Sequence, residues 1–272
     1  MDKEKVFELY EKNPWHDVTV ERKEGYGTSV TGYHKHSYYE INLILSGEVS
    51  ILLRDRSEEG YGGRIVLTRP ETPHYVSCDD SMLYRRVYLL FTDEFIADRI
   101  YEWNRLSTVF GASGNVLSLS AEEADRCLAV INEIDRESEP TSKRILIYYL
   151  LSRLLPISER ESANQKRLPP YIIEALAYVE RSYANKFTAD DMARELHVGR
   201  TTLMTGFKRY TGKTVKEYAD GCRLNRAMRL LEDGQTLESA ARSCGFSDAG
   251  SLIRSFKREF GTTPHKYVNK KI

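Results

Sequence analysis

The stretch AARSCGFSDAGSLIRSFKREFGTTPHKY, residues 240–267, has the residue order of two helices joined by a tight turn. Its two leading alanines allow a pair of helices to approach closely. Gly245 can adopt the left-handed backbone conformation that such a turn requires. Ser247 or Asp248 is a sound N-cap for the helix that follows. The stretch therefore predicts a helix-turn-helix unit.

The same pattern occurs a second time, 49 residues earlier in the chain. LMTGFKRYTGKTVKEY, residues 203–218, aligns with LIRSFKREFGTTPHKY, residues 252–267, with seven identities in sixteen positions. The earlier copy has a turn one residue shorter. His197 takes its turn position, which histidine tolerates better than most side chains, and Gly199 is the expected N-cap. Two copies are too few for a solenoid, so we interpret the segment as a duplicated helix-turn-helix.

Charge separates this helical segment from the rest of the chain. The 272 residues carry 40 basic and 40 acidic side chains, but residues 165–272 hold 20 basic against 12 acidic ones. A basic segment with two helix-turn-helix units indicates binding to nucleic acid. No apolar run approaches the ~20 residues of a membrane span. Four scattered cysteines and a charged N-terminus without a signal-peptide core predict a cytoplasmic protein with no membrane partner.

Residues 172–267 resemble the DNA-binding domain of the AraC/XylS family of bacterial transcription regulators, almost throughout the second motif. The resemblance implies two recognition helices joined by a rigid helix at about residues 215–231. They would enter successive major grooves about 34 Å apart on double-stranded DNA. RNA polymerase is a further partner that the resemblance implies.

By motif position, the expected DNA-binding residues form two equivalent sets at the exposed faces of the recognition helices. They are Arg200, Thr201, Met204, Thr205 and Lys208 in the first helix, and Ala249, Gly250, Ile253, Arg254 and Lys257 in the second. Arg254 is the best-placed candidate for a bidentate guanine contact. Lys208 and Lys257 would reach phosphates. The chain departs from the family at Gly206, where a large apolar residue is usual. We expect this glycine to cost about 1 kcal/mol of helix propensity and to leave packing unfilled.

The N-terminal half contains short β-forming runs between residues 18 and 92, of which GYHKHSYYEINLILSG, residues 32–47, is the most informative. Strand alternation separates this stretch into a polar and an apolar face. The polar face holds His34, His36, Tyr38, Glu40 and Asn42. The apolar face holds Tyr39, Ile41, Leu43 and Leu45. A polar face inside a small barrel predicts a ligand pocket, because buried polar groups need partners.

Together with GRIVLTRPETPH, residues 63–74, this stretch resembles the two motifs of the cupin superfamily. The resemblance places His34, His36, Glu40 and His74 in the four ligand positions. A cupin-like barrel ahead of two helix-turn-helix units is the usual plan of the AraC/XylS family. The predicted fold is therefore α+β: a small N-terminal β-barrel with a helical hairpin, then an all-α domain with two helix-turn-helix units.

The predicted domains are an effector-binding and dimerisation domain at residues 1–158, a linker at 159–169 and a DNA-binding domain at 170–272. The hairpin consists of helices at about 121–137 and 142–155, and Pro156 is expected to end the second one. In the family that the chain resembles, such a hairpin commonly mediates dimerisation, so we expect a homodimer. The alternative is that the hairpin only covers the barrel.

The four ligand-type residues allow three interpretations. They bind an organic effector, they bind a metal, or they are purely structural. Three histidines with one carboxylate can hold iron or manganese, which would suit a metal-dependent cupin enzyme or a metal-sensing regulator. We expect the organic effector, with no cofactor and no catalysis, because turnover would destroy the signal of a sensor.

The strand LYRRVYLLF, residues 83–91, supplies further candidates for the pocket. Tyr84, Arg86 and Tyr88 share a face by alternation. Tyrosines with one arginine suit a sugar or a carboxylated metabolite. The alternative is that the tyrosines face outward and pack on helices. The expected effector-binding residues are His34, His36, Tyr38, Glu40, His74, Arg86 and Tyr88.

Overall fold

The computed structural model describes residues 17–26, 34–78, 81–96, 101–161, 167–260 and 262–269. These residues form two compact units: residues 17–26 and 35–167 belong to the first, and residues 168–269, together with His34, belong to the second. The first unit is rich in strands and the second is helical, so the predicted α+β class is confirmed. No described helix has both the length and the apolar character needed to cross a membrane.

The described strands of the first unit form two antiparallel sheets. The strands are β1 (Val18–Tyr26), β2 (Tyr39–Ser46), β3 (Val49–Leu53), β4 (Ser57–Gly60), β5 (Arg64–Thr68), β6 (His74–Cys78), β7 (Leu83–Phe91) and β8 (Asn115–Ser118). The larger sheet has the order β1-β7-β2-β5-β8, and the smaller sheet has the order β4-β3-β6.

The helices of the first unit follow β7 and cover one face of the larger sheet. They are α1 (Trp103–Leu106), α2 (Ala121–Arg136) and α3 (Pro140–Glu161), with a 3₁₀ turn at Ser107–Phe110. A capping box begins α2, in which the hydroxyl of Ser120 accepts from the backbone N–H of Glu123 and the Glu123 carboxylate accepts in return. The predicted helical hairpin is therefore present.

The two faces of β2 have different surroundings, as the alternation predicts. Tyr39, Ile41 and Leu43 pack in one apolar cluster with side chains of α2 and α3. Glu40 and Ile44 point to the opposite face, where Ile44 packs with residues of β3 and β6 from the smaller sheet. The larger sheet is thus covered by helices on one side and by the smaller sheet on the other.

The sheets form two packed layers. Among the described strands no hydrogen-bonded ladder joins the two sheets, so the expected closed barrel is not seen there. The chain passes between the layers at Gly47, which connects β2 to β3 with a φ of +106°, a value that glycine adopts freely. The shared apolar cluster, rather than continuous strand pairing, holds the layers together.

The prediction that Pro156 ends the second hairpin helix was wrong, because α3 continues to Glu161. A proline inside a helix removes one backbone hydrogen bond and costs about 3 kcal/mol. Side chains on both sides of this proline are buried, which offsets part of that cost. The last turn is also tied to β8. Asn115 Nδ2 donates to Ser158 Oγ at 3.0 Å, and Glu161 Oε2 accepts from the Ser118 N–H at 2.9 Å.

The second unit has the predicted duplicated architecture. Its helices are α4 (Pro170–Ser182), α5 (Ala189–Glu195), α6 (Arg200–Thr211), α7 (Val215–Glu232), α8 (Leu237–Ser243), α9 (Ala249–Phe260) and α10 (Pro264–Asn269). Both ends of α6 and α9 differ by the 49 residues of the sequence repeat. The turn between α5 and α6 is one residue shorter than that between α8 and α9, as predicted.

The expectation that Gly206 leaves unfilled packing was wrong. Gly206 is buried in α6, and a Cβ placed there would collide with the hydroxyl of Tyr171 from α4. The tyrosine therefore occupies the space that a larger side chain at position 206 would need. The missing side chain on α6 and the large one on α4 form a matched pair.

We predict that Gly206→Leu destabilises the chain by about 1–3 kcal/mol, because the new side chain overlaps the Tyr171 ring. In a Tyr171→Ala background the same substitution should cost less, because the space is then free. Denaturant unfolding of the parent, the two single variants and the double variant measures the coupling. Strictly additive costs would show that Tyr171 does not occupy this space.

Candidate functional site

Three histidines meet just before β2 and at the start of β6. The ring nitrogens of His34, His36 and His74 that could hold a ligand all lie within 4.8 Å of one another. Each side chain is at most 8% exposed. His34 and His36 precede β2, which begins at Tyr39, so strand alternation does not place them. The loop before the strand brings them together with His74.

Backbone carbonyls fix the orientation of two of these rings. His36 Nδ1 donates to the carbonyl of Tyr38 at 2.9 Å, and His74 Nδ1 donates to the carbonyl of Thr72 at 2.9 Å. A carbonyl only accepts, so the proton of each neutral ring lies on Nδ1. The Tyr38 ring also stacks on His36, with centroids 3.9 Å apart.

The opposite nitrogens of both rings face the Glu40 carboxylate. Glu40 Oε2 lies 3.1 Å from His36 Nε2 and 3.7 Å from His74 Nε2. Burial acts to raise the pKa of Glu40, but the hydrogen bonds and charges of His36 and His74 outweigh it, so this pKa is lowered and the carboxylate is ionised. Burial lowers the pKa of His36, against the opposing effect of Glu40.

These two directions favour an ionised Glu40 carboxylate and disfavour a protonated His36 ring. When His36 is protonated, its Nε2 donates to the carboxylate, whereas a neutral His36 with its proton on Nδ1 has a lone pair at Nε2. In that neutral form, a cation or the hydroxyl and amine donors of a ligand would interact with both groups at once. The arrangement can therefore bind donor groups or a metal ion.

A second polar group lies on β7. Arg86 is 1% exposed, and its guanidinium carbon lies 4.3 Å from the Tyr84 ring centroid and 5.0 Å from that of Tyr88. Burial lowers the pKa of Arg86 to about 10, so it remains cationic at neutral pH. Burial raises the pKa of both tyrosines, which keeps their hydroxyls protonated.

Tyr84 and Tyr88 are both buried. Tyr84 packs between the two sheets, and Tyr88 packs with Tyr38 and Leu90, so neither packs outward on helices. The charge of Glu40 contributes to the raised pKa of Tyr84 and of Tyr88. The arginine and histidine groups therefore belong to one electrostatic environment.

Thr68 is a neighbour that the sequence did not single out. It is fully buried and lies opposite Glu40 in the β2–β5 ladder. Its hydroxyl makes no hydrogen bond to any residue that the structure describes. The sequence alone does not give the register between β2 and β5, so it could not place Thr68 beside Glu40.

The predicted recognition helices have one apolar and one accessible face each. Leu203 and Phe207 of α6, and Leu252 and Phe256 of α9, are fully buried. The ten predicted DNA-binding residues are all exposed or partly exposed: Arg200, Thr201, Met204, Thr205, Lys208, Ala249, Gly250, Ile253, Arg254 and Lys257. Both sets are therefore accessible to a partner.

The turns before these helices have the predicted backbone. His197 has a φ of +52° and Gly245 a φ of +79°, so both occupy the left-handed region. Gly199 is the N-cap residue of α6. Asp248 begins α9, where its Oδ1 accepts from the Ser251 N–H at 2.6 Å.

The first turn of α9 also holds the Arg254 side chain. A Cβ placed on Gly250 would lie 3.3 Å from Arg254 Nη1, so the guanidinium lies over this glycine. Arg254 itself is exposed. In α6, Arg200 instead lies 3.5 Å from the exposed carboxylate of Asp190.

Comparison with protein families identifies both units. The family described as an AraC-like ligand binding domain matches residues 17–151, and the family described as a helix-turn-helix domain matches residues 192–270. The two matches cover most of the chain, in the order predicted from the sequence.

Similar proteins have the same span. The Msm operon regulatory protein of Streptococcus mutans is 23% identical over 239 residues, which cover 84% of this chain and 83% of that protein. The HTH-type transcriptional activator RhaS of Escherichia coli is 23% identical over 240 residues, with 85% of each chain covered. Among solved structures, ToxT from Vibrio cholerae aligns with a TM-score of 0.44 and 14% identity over 93% of this chain and 98% of its own.

Proposed function

Because the chain belongs to the AraC family of transcription regulators, with a ligand-binding domain ahead of a helix-turn-helix domain, we propose that one cluster of buried polar side chains senses its effector. The cluster consists of His34, His36, Glu40, His74 and Arg86, with Tyr38 and Tyr88 beside it. The observation that carries the proposal is the convergence of two histidine Nε2 atoms on the buried Glu40 carboxylate.

The cluster favours an effector with groups of two kinds. Hydroxyl or amine donors would be accepted at Glu40 and the histidines. A carbonyl, carboxylate or ring oxygen would accept from Arg86 and from the protonated hydroxyls of Tyr84 and Tyr88. A tyrosine ring can also stack on a sugar face. A sugar or a related hydroxylated metabolite meets these requirements, and the cluster is a sensor rather than a catalyst.

A metal ion is the second candidate occupant of this cluster. Metal-binding histidines commonly donate their other nitrogen to a backbone carbonyl, and His36 and His74 both do so. With His34 and Glu40 they give a set of three histidines and a carboxylate, which suits iron or manganese. A bound ion would place a positive charge beside the ionised Glu40 carboxylate, and the chain would then be a metal-sensing regulator or a metal-dependent cupin enzyme.

We predict that a hydroxylated metabolite stabilises the parent chain in a thermal-shift screen of sugars, sugar acids and polyols. A ligand at a hundred times its Kd adds about 2.7 kcal/mol of stability. Glu40→Gln and Arg86→Gln should each abolish the shift, whereas Glu24→Gln, at an exposed position of β1, should leave it unchanged.

Elemental analysis of the same preparation separates the two occupants. Stoichiometric metal whose removal abolishes the thermal shift would overturn the metal-independent sensor and support the metal-sensing alternative. A shift that survives in both cluster variants would place the effector elsewhere.

On the DNA side, we propose that α6 and α9 enter successive major grooves. The accessible face of α9 carries Arg254 over Gly250, which allows close approach of the backbone and places a bidentate donor near the base edges. The accessible face of α6 offers mainly short or apolar groups apart from Arg200, so the first helix-turn-helix contributes chiefly affinity and shape recognition.

Arg254→Ala should weaken binding by about 1–3 kcal/mol at one base position and relax the preference there. Lys257→Ala is the matched control: it should weaken binding to all sequences alike and lower the salt slope by about 1, because it would remove a phosphate contact. A base-by-base binding scan measures both effects. An unchanged sequence profile for Arg254→Ala would exclude this residue as a reader of bases.

The remaining proposals concern organisation. We propose domains at residues 1–158 and 170–272 with a linker at 159–169, in a cytoplasmic homodimer whose DNA-bound form contacts RNA polymerase. The dimer proposal is supported by a groove of about 520 Å³ between α2 and α3 and by two exposed apolar side chains of α3, Ile145 and Tyr149.

We predict that the parent chain sediments as a dimer at micromolar concentration and that Ile145→Glu shifts it toward monomer, because the charge would lie in the contact. Analytical ultracentrifugation measures both. A monomeric parent chain would contradict the hairpin as a dimer contact, independently of the effector proposal.

A further inference from the structure

We propose that Arg223 is a positioning residue that fixes the second helix-turn-helix unit relative to the first. It would act through the short segment after α4, residues 183–185, and so set the half-site spacing that the chain accepts on DNA. This inference rests on the proposed docking of both recognition helices.

Arg223 lies in the middle of α7, the helix that joins the two helix-turn-helix motifs. Its Nε donates to the Tyr183 carbonyl at 2.6 Å, and its Nη2 donates to the Asn185 carbonyl at 3.4 Å. Asp220, one turn earlier, accepts from Nη1 at 2.7 Å. The guanidinium thus binds two backbone carbonyls at the end of α4 while a carboxylate of its own helix orients it.

The same segment contacts the turn of the second helix-turn-helix. A Cβ placed on Gly245 would collide with the Ala184 carbonyl, so the backbones of the turn and of this segment lie in direct contact. Gly245 therefore has two reasons to be glycine, its left-handed φ of +79° and this contact. Residues 183–185 are held between the middle of α7 on one side and the turn before α9 on the other.

The opposite end of α4 contacts the first helix-turn-helix. Tyr171, in the first turn of α4, lies against Gly206 of the first recognition helix. At the start of α7, the Tyr218 ring packs edge-on against Phe207 of the same helix, with centroids 5.4 Å apart. The helix α4 therefore touches α6 at its start, and the segment that follows its end touches the second helix-turn-helix.

These contacts have a consequence for DNA recognition. Two recognition helices read a two-part site only if their separation matches the distance and rotation between the half-sites, and one inserted base pair changes the rotation by about 34°. Without the bonds from Arg223 to the two carbonyls, the second helix-turn-helix would keep its packing at Gly245 but lose this attachment to the segment after α4. Its orientation would then vary, and more than one half-site spacing would be accepted.

The experiment uses the full chain and duplexes that the parent selects from a random library. In the selected site, the spacing between half-sites is changed by one and two base pairs in each direction. We expect the parent to lose about tenfold or more in affinity at each changed spacing. For Arg223→Ala we expect the loss to shrink to about threefold, with the same preferred bases within each half-site.

Two further variants control for charge and for folding. Arg242→Ala removes a cation from an exposed position of α8 and should lower affinity equally at every spacing. Arg223→Lys keeps the charge beside Asp220 but cannot bind both carbonyls, so it should give an intermediate spacing profile. This variant carries the test if circular dichroism shows that Arg223→Ala does not fold.

The outcomes are distinguishable. The parent, Arg223→Ala and Arg223→Lys could all show the same sharp spacing optimum. In that case Arg223 does not position the second helix-turn-helix, and the inference fails while the proposed docking of both helices stands. If the parent itself selects only a single half-site, the proposed docking of both helices fails, and the inference fails with it.

Discussion

The fold of the first unit depends on β2, whose two faces have different surroundings. This strand lies in the centre of the larger sheet, with helices on one side and the smaller sheet on the other. A shift by one residue would move Glu40 under the helices and Ile41 toward the histidines. Burying an ionised carboxylate without partners costs several kcal/mol, so the histidine contacts to Glu40 and the strand register support each other.

That dependence explains why the same cluster is a functional candidate. Buried charged groups are a poor way to gain stability, because well-packed apolar residues usually serve as well. Here the Glu40 carboxylate, the imidazoles of His36 and His74 and the Arg86 guanidinium are all buried within the first unit. Groups of this kind with shifted pKa values concentrate at functional sites. A ligand that uses these groups would account for their burial together.

The sequence predicted the features that depend on local periodicity and failed where contacts between distant residues decide. The starts of α6 and α9 followed from their predicted N-caps, and the turn at His197 followed from its tolerance of positive φ. Pro156 was misjudged because burial on both sides of it outweighs a local preference. Gly206 was misjudged because its partner, Tyr171, belongs to another helix. The histidines converge as predicted, although a loop rather than strand alternation brings them together.

Energy sets a limit on how the two functions can be linked. A ligand at a hundred times its Kd contributes about 2.7 kcal/mol, so it can change DNA affinity by about a hundredfold at most. Such a change corresponds to the loss of about one or two base contacts rather than of a whole helix-turn-helix. A small reorientation of the second helix-turn-helix would be enough to produce a change in DNA affinity of this size. The helix α4 is the first element after residues 159–169, and it contacts α6 at one end and the segment bound by Arg223 at the other. A displacement of this helix would therefore change both recognition helices at once.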